Sequence, residues 1–519
     1  MRAEARRRFV PLGVLLTLCA ACSSFTRPDG DGGWSEARRE EEVARLQSAA
    51  GVTVPEAKLE LESKRIEDSL DVASPPPSAP PATPSGEMDL AQALAVAARG
   101  NRRIVEAHEQ LAATAERVAD VRGRLLPATT AEARYTWYTA AQTASVDLPS
   151  GVLPPGSAPP VVEIRDADAG TVNARIYVPI DLTGELRHTL SAAQAGYRGE
   201  RARVWATTLD EQLAVTQAYF QLLEARRLRT VTEETIAVYR SQLGIARSRF
   251  DQGRLLKNDL LTVDVALQLA EQGLLGRDLA IEEARWLFNR SIGADVNAPA
   301  ELADVRRPPD VPSVDRALAL AYQENPILLS LLEEQQRLQD TATALERSRL
   351  PRFGGGGGMD YSSSDILEPQ QIGSGFIGFT WELGTDLRRE AQISEARIQS
   401  DRNRIATERQ LRDLEAAVRA AQLSTAERLA AYRTAQSSLS QAEENLRIRE
   451  QQFDVGRAQS DDVLIAERLL AEQRATLATA LYQAHTRRAA LQRLMGLDLE
   501  DLNATKAPNA RSAASGAGT

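Results

Sequence analysis

One short segment that occurs twice constrains this chain more than any other feature. Phe250-Asp251-Gln252-Gly253-Arg254, followed by Asp259-Leu260-Leu261, returns as Phe453-Asp454-Val455-Gly456-Arg457, followed by Asp462-Val463-Leu464, at a constant offset of 203 residues that also pairs Gly293 with Gly496. Each copy sits between a long proline-free run and a second helical run. It therefore reads as the tip of an αα-hairpin, with the glycine supplying the left-handed residue that ends the first helix. A duplicated hairpin with matching segments upstream makes the chain an internal duplication, which sets the architecture before any single motif is read.

The upstream segments match at an offset of 224, which pairs Asn101 with Asn325 and Leu126-Pro127 with Leu350-Pro351. Leu90, Ala93, Leu94 and Ala97 recur at helical spacing, and Ala317, Leu318 and Ala321 stand in for the last three. A second helix is expected from about Arg102 to Leu125. Proline ends a helix and favours extended backbone before it, so each half turns from helix to strand at its Leu-Pro.

Beyond each Leu-Pro the period changes to two. Val172, Ala174, Ile176, Val178, Ile180 and Leu182 share one face, with Asn173, Arg175, Tyr177 and Asp181 on the other. In the second half Ile377, Phe379, Trp381 and Leu383 oppose Gly378, Thr380 and Glu382. Such alternation over about ten residues fits a membrane barrel strand, and equally a half-buried strand of a soluble sheet. Outgoing strands are expected near Thr130–Tyr138 and Gly357–Ser363, with surface loops over 139–170 and 364–373. The run Gly354–Gly358 lacks the Lys-Ser/Thr of a phosphate cradle and reads as a strand entry.

No proline interrupts Leu186 to Arg249 or Leu387 to Gln452. A helix of about 64 residues reaches on the order of 95 Å and needs lateral partners along its length. Leu411, Val418, Tyr432, Leu439 and Leu446 share one heptad position, while Leu414, Ala421, Ala435 and Ala442 share the other. Val463, Leu470, Leu477, Ala484 and Leu491 keep the same spacing on the return. Antiparallel coiled-coil packing across the tip follows. Composition agrees: only 5% of residues are aromatic and 26% are charged. A net charge of −10 argues against nucleic acid as a partner, because phosphate recognition needs a basic face.

The N-terminus reads as an export signal over 1–21. Arg2, Arg6, Arg7 and Arg8 precede a short apolar stretch from Phe9 to Ala21, and both cysteines of the chain, Cys19 and Cys22, lie here. Leu18-Cys19-Ala20-Ala21-Cys22 resembles a bacterial lipoprotein processing box, with Cys22 as the lipidated residue and Cys19 where leucine is usual. Ser23 resembles the pattern sorted to the outer membrane. Residues 22–86 form a lipidated N-terminus and Pro-rich leader, 87–300 the first structural repeat, 301–500 the second, and 501–519 a disordered tail. No other stretch has the length of a spanning apolar helix, so a bilayer crossing must be made by strands. About four strands per chain cannot close a barrel alone, because unpaired backbone groups in hydrocarbon cost several kcal/mol each. Subunits must therefore donate strands to a common barrel.

The twice-repeated order of helix, Leu-Pro, strand, strand, long helix, glycine tip and returning helix resembles the TolC family of outer-membrane efflux proteins, in its lipidated OprM-like branch. Val178-Pro179-Ile180-Asp181-Leu182-Thr183-Gly184 looks like the family's strand-to-helix junction. The second half keeps only Leu383-Gly384-Thr385, with Trp381 where proline is expected. The resemblance implies a mostly α, elongated chain with a small β part, assembled as a homotrimer with a twelve-stranded outer-membrane barrel continued by a periplasmic α-barrel. It also implies a periplasmic membrane-fusion adaptor and an inner-membrane RND or ABC pump as partners, with passive export of drugs or other small molecules. Ducts for protein secretion or metal efflux share the architecture, and a periplasmic coiled-coil scaffold is the rival of another class.

The resemblance places Asp462, with Asp461 beside it, at the periplasmic gate, where three copies would crowd carboxylates together. Ile465 replaces the family's second acid. Ser460, Asp461 and Asp462 also suit a helix cap, and the two roles are compatible. Asp259 is the first-half counterpart, with capping the favoured role. Gly253, Arg254, Gly456 and Arg457 would form the adaptor-docking tips. His108, His188 and His485 are scattered along helices and suggest no metal site, cofactor or catalytic constellation.

Overall fold

A computed structural model describes residues 86–146, 154, 158, 160–364, 366–382, 387–455 and 457–499. The signal segment, Cys22, the leader, Gly384, Gly456 and the tail from residue 501 lie outside the described residues.

The first half opens with α1 (Leu90–Gly100), where Asp89 Oδ1 accepts the Gln92 N–H at 2.7 Å and closes a capping box. Leu90, Ala93, Leu94 and Ala97 are all buried, as their spacing requires. Asn101 separates α1 from α2 (Arg102–Gly123), which stops short of Leu126-Pro127. The chain continues through β1 (Ala128–Trp137), β2 (Gln142–Ser145), β3 (Val161–Arg165) and β4 (Asp168–Ile180). Gly184, at φ +80°, turns it into α3 (Glu185–Asp251), and α4 (Lys257–Ile292) returns. The second half repeats the order: α5 (Val314–Glu324), α6 (Pro326–Arg347), β5 (Arg352–Ser362), β6 (Gln371–Thr380), α7 (Leu387–Asp454) and α8 (Ser460–Leu494).

Two expectations need correction. The segment 139–170 is not a bare loop: β2 and β3 pair antiparallel within it and prolong the β1–β4 hairpin. Alternation in that stretch is masked by a bulge between Gln142 and Thr143. The outgoing strand of the second half starts at Arg352, five residues before Gly357, so the glycine run is the body of β5 and not its entry. Glycines carry no polarity pattern, so period two could not reveal them.

The main sheet has the order β1-β4-β5-β6, antiparallel throughout, with Thr171 of β4 opposite Ser362 of β5. The two halves thus meet in the middle of one sheet. Below it, α3 packs along α4 and α6, while α7 packs along α8 and α6, and α8 also lies against α3. Heptad residues Leu411, Leu414, Val418, Ala435 and Ala442 are buried as expected. One core cluster joins Leu94, Val215, Tyr219, Phe220, Phe288 and Ile292; a second joins Leu318, Leu328, Leu332, Leu411 and Leu491.

Repeat-related residues lock each half where its short and long helices meet. Asn101 Oδ1 caps α2 through the Arg103 N–H, and its Nδ2 donates to Ser291 O at 3.0 Å. Asn325 caps α6 in the same way and donates to Leu494 O at 3.0 Å. Directly beyond those carbonyls, Gly293 and Gly496 (φ +76° and +72°) end α4 and α8. The next N–H in each case reaches back five residues, Ala294 to Asn289 O and Leu497 to Gln492 O, to close the helix.

Candidate functional site

Two regions carry the functional reading: the hairpin tips and the exposed faces of the sheet. At the first tip Gly253 has φ +72°, its N–H reaches Phe250 O at 2.8 Å, and the Arg254 N–H reaches Arg249 O at 2.8 Å. At the second, the Arg457 N–H reaches Gln452 O at 2.7 Å, the same five-residue closure 203 residues on. Gly253, Arg254 and Arg457 are exposed.

The three acids behave differently. α8 begins at Ser460 with Gln459 as its N-cap, and Asp462 Oδ2 accepts the Gln459 N–H at 3.0 Å. Ser460 and Asp461 are therefore not the cap, and Asp461 stays exposed. Asp259 sits in the first turn of α4, whose N-cap is Leu256. The Asp259 carboxylate makes no hydrogen bond among the described residues, so the expected capping role reduces to a favourable charge at a helix start.

What the sequence did not disclose is how the two tips join. The Arg249 guanidinium lies over the Phe453 ring, 4.0 Å from its centroid. Leu464 of α8 enters a core cluster with Ile236, Tyr239, Leu243, Val263 and Leu267 of the other hairpin. Higher up, Arg474 pairs with Glu234 at 2.9 Å, and Thr479 donates to Glu224 at 2.8 Å. Heptads report packing within a hairpin; nothing in their spacing reports which hairpin packs on which.

Among these contacts Glu467 is buried (6% exposed) on α8. Desolvation first, and the nearby Glu450 second, push its carboxyl up to about 7, against the pull of Arg474.

The sheet has two unlike faces. Cross-strand register puts Val172, Ala174, Ile176 and Val178 of β4 beside Met359 of β5 and Ile377 of β6 on one face. Ile377 is 82% exposed, with no protein over it. Aromatic side chains end this apolar face on both sides: Tyr135, Trp137 and Tyr361 at one, Phe379 and Trp381 at the other. An apolar band between two aromatic girdles is the lipid-facing pattern of a membrane barrel. The opposite face carries Glu132, Arg134, Asn173, Arg175 and Asp360, with Arg175 and Asp360 3.5 Å apart.

The histidines stand apart from one another. His188 Nδ1 lies 3.0 Å from Asp340, His485 stacks on Phe220 and reaches Arg307 O at 2.8 Å, and His108 lies on α2. Among the described residues no helix is long and apolar enough to cross a membrane.

The family model for outer membrane efflux proteins matches residues 93–294 and 317–497, which is each structural half in turn. The chain belongs to the outer membrane efflux protein family. This efflux protein shares its fold with CmeC, the Campylobacter jejuni outer membrane channel, at 16% identity and a TM-score of 0.65, over 86% of this chain and 93% of that one. It is similar to the outer membrane protein VceC of Vibrio cholerae at 16% identity and TM-score 0.63, over 78% and 96% of the two chains. The open state of the Neisseria gonorrhoeae MtrE outer membrane channel matches at 16% identity and TM-score 0.62, over 79% and 89%. Among curated proteins nothing matches the efflux protein.

Proposed function

We propose that three copies of this efflux protein close one barrel, β6 of each pairing with β1 of the next, to form the outer-membrane duct of a tripartite efflux system. The observation that carries this is the sheet itself. Its outer strands β1 and β6 each pair on one side only, and its apolar face has aromatic girdles at both ends. An open edge cannot persist in hydrocarbon, and a second and third copy supply the missing partners. The polar face then lines a passage, which the long helices extend into the periplasm.

In this reading the tips Gly253, Arg254, Gly456 and Arg457 meet a periplasmic adaptor that hands over small molecules from an inner-membrane pump of the RND or ABC class. Asp461, Asp462 and Asp259 line the narrow end. Asp461 and Asp259, whose carboxylates are not committed to a cap, are the freer charges of the three. Cys22 bears the lipid, which mass spectrometry of the mature N-terminus tests.

The deciding experiment is fractionation. The chain is expected in the outer membrane as a trimer that resists unheated detergent and dissociates on boiling, and its deletion sensitises cells to pump substrates. Release by salt as a monomer, with unaltered drug susceptibility, would overturn the proposal.

A further inference from the structure

The glycine strip of β5 makes an unusual surface on the polar face of the sheet. Gly354, Gly356 and Gly358 point to that face, and side chains from both neighbouring strands lie down over them. A Cβ at Gly354 would fall 2.3 Å from the Tyr177 hydroxyl. One at Gly356 would fall 3.2 Å from the Phe376 ring, and one at Gly358 2.9 Å from Arg175 Cγ. Tyr177, Gly356 and Phe376 are in register across β4, β5 and β6. The two rings are nearly parallel, 24° apart, with centroids 6.5 Å from each other.

These side chains are not buried under anything. Tyr177, Phe376 and Arg175 are all exposed on this face, with Gly354, Gly356 and Gly358 between them. Aromatic groups lying over strand glycines stabilise a sheet in their own right. Here they also leave two ring faces and a guanidinium open to whatever passes.

We infer that Tyr177, Phe376 and Arg175 form a lumenal station that transiently holds planar aromatic anions in transit. This rests on the reading of the polar face as the channel lining. The rings offer stacking to a flat body, and Arg175, two residues along the same face of β4 and so roughly 7 Å away, offers the charge. The competing arginine below, Arg352, donates from Nε and Nη2 to the two carboxylate oxygens of Glu185, at 2.9 and 2.6 Å. Arg175 instead touches Asp360 through one contact at 3.5 Å, with both side chains largely exposed. Of the two cations Arg175 is the one held less firmly, and so the one a passing anion can engage. Three copies would set three such stations around one passage.

The test is block of ionic current through the full-length protein in planar bilayers by three probes: naphthalene-2-sulfonate, naphthalen-2-ylmethylammonium and cyclohexanesulfonate. The aromatic sulfonate is expected to block wild type at lower concentration than either of the others. Losing one charge-assisted contact in Arg175→Gln should raise its blocking concentration by about tenfold, while Arg175→Lys retains most of the block. The double variant Tyr177→Leu, Phe376→Leu should erase the preference for naphthalene over cyclohexane. Equal block by aromatic cation and anion, or unchanged block in Arg175→Gln, overturns the station and leaves the channel standing. Absence of any conductance in wild type overturns the channel reading and the station with it.

Discussion

Gly293 and Gly496 show what the repeat enforces at single positions. A Cβ on either would lie 2.1 Å from a backbone carbonyl, that of Gly100 or of Glu324, and both residues hold a left-handed φ. Gly293→Ala and Gly496→Ala are each expected to destabilise the fold by roughly 1–3 kcal/mol, from strain and displaced backbone together. Gly244→Ala, on an exposed turn of α3 with nothing near the new Cβ, should stabilise it by roughly 0.5–1 kcal/mol. Thermal melts of the three variants in detergent check both signs. The sequence already paired the two glycines and, separately, the two asparagines. It could not show that they meet, because the offsets of 203 and 224 differ and the contact runs between them.

Glu467 belongs to the same scale. Its folded-state pKa of about 7 lies above the ordinary carboxylate value of 4.5, so between these limits the folded form holds more protons than the unfolded one. Stability from this group therefore falls as pH rises from about 4.5 to 7, and the cost is complete above that window. The groups facing it are Glu450 on α7, Arg474 on α8 and Tyr239 on α3. Glu467→Gln is expected to slow amide exchange in α8 near the tip at pH 8 and to change it little at pH 5. An equal effect at both pH values would show that burial of this carboxylate does not govern the tip.

At the scale of elements, the long rods α3 and α7 were legible because nothing in them interrupts a helix and their apolar residues keep a heptad beat. Their endpoints, Asp251 and Asp454, fall two residues past the expected Arg249 and Gln452. The strands were half legible. β4 and β6 alternate and were visible, whereas β2, β3 and the glycine-rich start of β5 carry no alternation to see. Contacts between hairpins were not legible at all, since Arg249 and Phe453 are 204 residues apart. Arg249→Ala should cost about 1–2 kcal/mol of coupling between the tips, the range of a partly desolvated cation–π pair. A double-mutant cycle with Phe453→Leu, read by hydrogen exchange at the tips, measures it. Additive effects would mean that Leu464 and its neighbours, and not this pair, hold the tips together.

For the molecule as a whole, the two faces of the sheet make opposite demands on substitution. Ile377→Arg puts a charge into the apolar band two residues inside the Phe379 girdle and is expected to cost roughly 1–3 kcal/mol, seen as loss of heat-modifiable trimer. Ser374→Arg, three residues away on the polar face, should leave assembly intact. The order of elements gave away the duplicated architecture and the need for partner subunits, because four strands cannot enclose anything. The choice of cargo was not written there; in the proposed station it follows from the side chains that lie over Gly354, Gly356 and Gly358.

The seam between β4 and β5 joins residues as far apart as Thr171 and Ser362. Neither half owns a complete piece of the membrane wall, so the chain must be made as far as Thr380, the end of β6, before its share of the wall can be stitched. Until then the first half's strands can pair only with each other, which leaves the β4 edge open, and contacts so distant in sequence form slowly. A cell that makes this protein therefore has to escort it, and its biogenesis should fail sooner than its function when escorts are scarce.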